Sequence, residues 1–260
     1  MNATPSDGKI HLFLGTIIIV LFLFSLFLFY NQVNLKQQLK NSEIPLTHII
    51  KKVSPSVVSI NTEQNTGAGT GFIISKDGFI ISNKHVVADT ASKFIVTLQT
   101  GEKFPAKVLL LDNENDLAIL KIDGNNFPYS LLGNSDNLEL GENVIVIGNA
   151  LGQFNNSVST GVVSGLNRQL NAKNQQTGEI VTLTGMIQTD AAINLGNSGG
   201  PLVGSGGKIM GVNVATIMGM NDVSFSIPIN KVNNLLDRIN AEPLIPQSLQ
   251  SLMQALRSKN

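Results

Sequence analysis

From Ile49 to Ile227 the sequence breaks into short runs rich in Val, Ile and Thr, each closed by Gly, Asn, Asp or Lys. Such runs satisfy their backbone hydrogen bonds with one another. β-Branched side chains pack well on a pleated surface, and the turn residues end each run before a helical period can develop. We read strands at 57–61, 70–75, 79–82, 93–99, 103–111 and 117–122, then at 143–148, 158–164, 180–189, 201–203, 208–215 and 223–227. The turn-rich stretch 124–137 separates two groups of about six. Two closed barrels are expected rather than one open sheet, because closure removes exposed strand edges. After Pro228 the apolar period changes to 3.6, with Ile229, Val232, Leu235, Leu236 and Ile239 on one face. This predicts a C-terminal helix over 229–240 that packs on the second barrel, with Asn230 as a cap near its start.

The N-terminus obeys a different rule. Leu12 to Tyr30 is an almost unbroken apolar run of nineteen residues, and at about 1.5 Å per residue it reaches roughly the 30 Å of a bilayer core. A secretory signal is the alternative, but the run exceeds the usual hydrophobic region and Tyr30-Asn31-Gln32 offers no small-x-small cleavage site. An uncleaved transmembrane helix is therefore favoured. Lys9 precedes the run while Lys36 and Lys40 follow it, a local bias that places the C-terminal side in the cytoplasm. Long domains translocate largely regardless of such charges, and the family resemblance given below favours the opposite orientation. The expected organisation is a tail at 1–11, an anchor at 12–30, a stalk at 31–48, a body at 49–240 and a tail at 241–260. Within the body, barrels are expected at 49–137 and 138–228 and the helix at 229–240.

Composition excludes several chemistries. Eighteen basic residues balance eighteen acidic ones, so no electrostatic argument exists for a nucleic-acid partner. The absence of cysteine removes disulfides, thiolate metal sites and cysteine nucleophiles. The three histidines are His11, His48 and His85, and no two stand at helical metal-ligand spacing. Neither a metal nor another cofactor is expected, and His85 is the imidazole placed to serve a folded site.

Gly196-Asn197-Ser198-Gly199-Gly200-Pro201 sets a serine among glycines between two apolar stretches. A serine nucleophile must project its hydroxyl while nearby N–H groups converge on an oxyanion, and the tight turn this requires leaves no room for flanking side chains. A glycine-rich hairpin turn explains the same residues without chemistry. His85 follows the run ending at Ser82, where a local helical turn can hold the ring at a cleft edge as a general base. A capping or structural histidine is the alternative. The carboxylate that orients it is read as Asp116, which opens the run Leu117–Lys121; Asp112 competes, and either can be a turn aspartate.

Taken together these segments resemble the protease domain of the HtrA family. The matching stretches are Val53–Ile60, Gly69–Ile74, Ile81–Val87, Asp116–Lys121, Gln188–Pro201 and Ser224–Ile229. The resemblance implies a chymotrypsin-like double barrel and a serine endopeptidase acting on protein or peptide substrates. It assigns His85, Asp116 and Ser198 as the catalytic triad and Gly196, Asn197 and Ser198 to the oxyanion hole. It places the primary substrate pocket between Ala192–Leu195 and Asn213, Val214, Ala215 and Thr216. Ala192 stands at the pocket floor, which suggests small or medium apolar side chains on the acyl side of the scissile bond. An extended substrate is expected to pair with the Asn213–Thr216 backbone.

The resemblance further implies a bacterial chain working in extracytoplasmic protein quality control at the cytoplasmic membrane. It also implies a homotrimer, although the aromatic cluster often used for that contact is not evident. The PDZ module usual in the family is not expected in this chain, and the stretch Leu166–Thr184 reads as a long loop. A catalytically silent scaffold that binds exposed peptide strands, and a soluble secreted protease, are the competing readings.

Overall fold

The structure is a computed structural model describing residues 5–42, 44–64, 68–89, 92–148, 157–173, 180–194, 196–214 and 223–240. The β-branched runs form twelve antiparallel strands that close into two barrels of six. The first barrel contains β1 (Val57–Thr62), β2 (Ala68–Ile73), β3 (Phe79–Asn83), β4 (Phe94–Thr97), β5 (Lys103–Asp112) and β6 (Leu117–Ile122). Its order is β1-β2-β3-β6-β5-β4. The second contains β7 (Asn143–Gly148), β8 (Ser157–Lys173), β9 (Ile180–Thr189), β10 (Pro201–Gly204), β11 (Ile209–Val214) and β12 (Ser224–Pro228), in the order β10-β11-β12-β9-β8-β7. The all-β fold read from the sequence is the fold observed.

One buried apolar cluster runs across both barrels, joining Val57, Phe72, Phe79 and Leu117 of the first to Ile145, Val203, Ile227 and Val232 on the other side. The barrels thus share a core, and residues at their seam are fixed from two directions. The C-terminal helix α3 (Ile229–Asn240) buries Ile229, Val232, Leu235 and Leu236. Asn230 does not cap α3. Its side chain donates from Nδ2 to Asn134 Oδ1 at 2.7 Å and accepts from Ser135 N at 3.3 Å, tying the helix to the connection between barrels. Lys231 on α3 donates to the Thr184 carbonyl at 2.7 Å. Burial pushes its ammonium below its ordinary pKa against the upward pull of Glu114 and Asp112.

Two elements differ from the sequence reading. The compact body begins at Leu46, because residues read as the end of the stalk form the first turn of α2 (Leu46–Val53). Ile49 and Val53, one turn apart, bury themselves in the shared cluster. The stretch read as a long loop at 166–184 is, over its described part, a ribbon continuing β8 and β9. Leu170 pairs with Leu183 and Lys173 with Ile180, after register shifts at 163/165, 165/168 and 168/170. Those shifts break the period of two that identifies a strand, and Asn167 takes a left-handed φ of 54° among them.

The N-terminal unit is a single helix, α1 (Pro5–Ser42), which includes the residues read as a polar stalk up to 42. Its segment Leu14–Asn34 is long and apolar enough to cross a membrane. Leu23, Phe24, Phe27 and Phe29 are all exposed, so no protein surface in the unit takes up their apolar area.

Candidate active site

The register of β3 against β6 pairs Asn83 with Leu117. The residues just beyond that pair, the turn Lys84–Val87 and Asp116, therefore emerge at the same barrel edge. Asp116 bonds back along the whole of this segment. Its carbonyl accepts from Lys84 N at 3.0 Å and Asn83 Nδ2 at 3.1 Å. Its carboxylate accepts from His85 N at 3.0 Å through Oδ1 and meets His85 Nδ1 at 2.7 Å through Oδ2. The backbone carries this aspartate at φ 54°, a left-handed conformation that costs of order 1 kcal/mol or more for a residue with a Cβ and that Asp tolerates better than most.

Asp112, the competing carboxylate, is taken up by its own turn. Its Oδ1 accepts from Glu114 N at 2.9 Å and Asn115 N at 3.2 Å, and its Oδ2 accepts from Asn115 Nδ2 at 2.9 Å. It shapes the turn that delivers Asp116 and does not reach the ring. The His85 side chain retains 45% of its exposure whereas Asp116 keeps 16%. With Nδ1 facing the carboxylate, Nε2 is the nitrogen left to exchange a proton.

The glycine loop crosses to this edge from the second barrel. Thr70 on β2 donates its backbone N–H to Ser198 O at 2.9 Å and its hydroxyl to Gly196 O at 2.6 Å. Asn197 N donates to Asn194 O at 3.0 Å, Gly200 N to Asn197 O at 3.0 Å, and Gly199 N to Asn213 O at 2.9 Å. Gly196 and Gly199 take φ values of 95° and 83°, which L side chains rarely adopt. A Cβ at residue 199 would press on Thr70 O and Ser82 Oγ and sit 3.0 Å from Asn83 N. The residue after Ser198 is thus packed onto the strand end that leads, two residues later, to His85. Ser198 and Asn197 are 5% and 4% exposed, and Asn197 Oδ1 lies buried against Gly148 without a hydrogen-bond partner.

The other expected site residues divide three ways. Asn197 cannot serve the oxyanion hole through its amide, which is committed to Asn194 O. Ala192 is exposed, and its carbonyl accepts from Ser159 Oγ at 2.6 Å. Asn213 is fully buried and differs from its expected role. Its N–H donates to Gly200 O at 2.8 Å, its carbonyl serves Gly199, Nδ2 donates to Pro201 O and Oδ1 accepts from Ser226. It braces the serine loop and has no backbone group to offer an added strand. Val214 is 6% exposed, and Leu195, Ala215 and Thr216 lie outside the described residues. Among the described residues no group of three or more His, Asp or Glu converges as a metal site.

A family model for the trypsin-like peptidase domain matches residues 69–212, which contain both halves of this arrangement. The chain belongs to the trypsin-like peptidase family. Within that family it is similar to a probable periplasmic serine endoprotease, DegP-like, of Chlamydia pneumoniae. The two are 44% identical over 174 residues, 66% of this chain and 34% of that protein. It is also similar to the Do-like serine protease HtrB of Bacillus subtilis, 42% identical over 218 residues that make up 75% of this chain and 47% of the relative. The chain therefore spans a third to a half of these relatives' lengths. Among solved structures, Deg5 aligns with a TM-score of 0.61 at 38% identity, over 72% of this chain and 90% of that one. The HtrA-type protease AlgW, solved with a decapeptide, aligns at 0.65 and 28% identity, over 78% and 68%.

In this trypsin-like peptidase the residue that sequence reasoning overlooked is Thr70. Its signal was the motif Gly69-Thr70-Gly71, in which a hydroxyl stands between two glycines on a strand otherwise apolar in its second half.

Proposed function

We propose that this trypsin-like peptidase is a serine endopeptidase that hydrolyses protein substrates by acyl transfer to Ser198. The 2.7 Å pairing of His85 Nδ1 with Asp116, at a barrel edge against which the serine loop packs, is the observation that carries the reading. Ser198 Oγ attacks the scissile carbonyl as His85 Nε2 takes its proton. The C–N bond then breaks, the same proton passes to the leaving amine, and water repeats the sequence to free the acid. Asp116 fixes the ring tautomer and stabilises the imidazolium. The oxyanion falls to the N–H groups of Gly196 and Ser198.

Ala192 favours small or medium apolar residues on the acyl side of the cut. The apolar span in α1 and the relatives named as periplasmic endoproteases support a membrane-anchored enzyme facing the extracytoplasmic side, where exposed segments of misfolded proteins are its substrates. A fluorophosphonate probe applied to the full chain in detergent tests the chemistry. Label is expected on Ser198, and Ser198→Ala is expected to lose both label and casein cleavage while keeping the parent circular dichroism and Tm. Casein cleavage by Ser198→Ala at the parent rate overturns the assignment.

A further inference from the structure

We infer that Thr70, on the first barrel, is a positioning residue that sets the peptide planes of the oxyanion loop on the second. This deepens the proteolytic reading and rests on it for its kinetic consequence. The difficulty it resolves is physical. An oxyanion hole needs two N–H groups held in fixed directions, and it is built here from a glycine-rich loop whose peptides turn easily.

Each peptide from Gly196 to Gly199 is restrained. The plane joining Gly196 to Asn197 is tied at both ends, its carbonyl by the Thr70 hydroxyl at 2.6 Å and its N–H by Asn194 O at 3.0 Å. The next plane carries the N–H of Ser198, and its carbonyl accepts from Gly200 N. The third is tied by Thr70 N to Ser198 O at 2.9 Å and by Gly199 N to Asn213 O. Rotating the first plane breaks two bonds at once and drags the Gly196 and Ser198 amides on either side of it.

Among these restraints the Thr70 hydroxyl is the one a substitution can delete without touching the backbone. Thr70 is itself rigid. It is 0% exposed, is paired with Ser59 on β1, and accepts at its own carbonyl from Ser82 Oγ at 2.7 Å. Its methyl lies 3.0 Å from where a Cβ on Gly200 would stand, so the loop has no gap to retreat into. The hydroxyl reaches the oxyanion loop through Gly196 O.

Thr70→Val keeps the shape and removes the donor, leaving the Gly196 carbonyl buried without its bond. Thr70→Ser keeps the donor and removes the methyl. In the full chain in detergent, Thr70→Val should lower kcat on a cleaved peptide by about tenfold to a hundredfold, with KM within about twofold, as befits a group felt in the transition state. Thr70→Ser should stay within about threefold of the parent. A second readout needs no turnover: deuterium uptake by the peptide spanning 196–200 should rise in Thr70→Val and remain at the parent level in Thr70→Ser. Unchanged kcat and uptake in Thr70→Val, or equal losses in both variants, overturn the inference. A parent chain without peptidase activity whose uptake still follows this pattern overturns the proteolytic reading and leaves the positioning role standing.

Discussion

Both carboxylate oxygens of Asp116 are taken up by one residue. Oδ1 is committed to the His85 backbone N–H and Oδ2 to the ring Nδ1. In Asp116→Asn the oxygen goes to the backbone donor, which turns the amide NH₂ toward Nδ1. The ring must then accept there and carry its proton on Nε2, where it cannot act as a base. We expect kcat to fall about 10⁴-fold with folding intact, the size of loss seen when the same change is made in the serine-protease precedent. A loss below tenfold in steady-state peptide hydrolysis would remove Asp116 from the mechanism. At this scale the sequence named two candidate carboxylates and left the choice between them open. Nothing in Asp112-Asn113-Glu114-Asn115-Asp116 says which carboxylate faces the ring, because that depends on a turn in which Asp112 spends its oxygens on Glu114 and Asn115.

Elements were legible where a short β-branched run is closed at both ends by turn residues. β6 and β7 form over the residues read from the sequence, since their side chains are buried almost without interruption. β9 takes the bounds read for it, but the continuation of β8 past 164 to Lys173 escaped because its bulges reset the alternation, and α2 escaped because eight residues behind a proline give one apolar face only two turns. That face nevertheless matters to the seam. Ile49 is 3% exposed in the cluster shared by the barrels, and Ile49→Ala should destabilise the body by roughly 2 to 5 kcal/mol. In a body of this size that lowers Tm by about 5 to 15 °C. A Tm within about 1 °C of the parent, read by differential scanning fluorimetry, would show that α2 is not anchored there.

For the whole molecule, the division between an apolar helix and a double barrel sets where the catalyst can work. Leu14–Asn34 is long and apolar enough to cross a membrane, and under the proposed anchoring the chain expressed in a bacterial host should stay in the membrane pellet through alkaline carbonate extraction. Release into the supernatant with a new N-terminus beyond residue 30 would identify the run as a cleaved signal instead. Sequence reasoning reached the apolar run through length and hydropathy alone. It missed how the halves of the body are joined at the site, because hydrogen bonds between Thr70 and residues 196 and 198 link positions too far apart for any local pattern to reveal.

The pairing of His85 with Asp116 hangs from the first barrel, while Ser198 arrives on the second and is held by Thr70 across the seam. In the proposed enzyme the earlier half of the chain therefore supplies an imidazole with no hydroxyl to activate, and the later half a hydroxyl with no base. On that reading, neither half of the chain can cut a polypeptide until the other has packed against it.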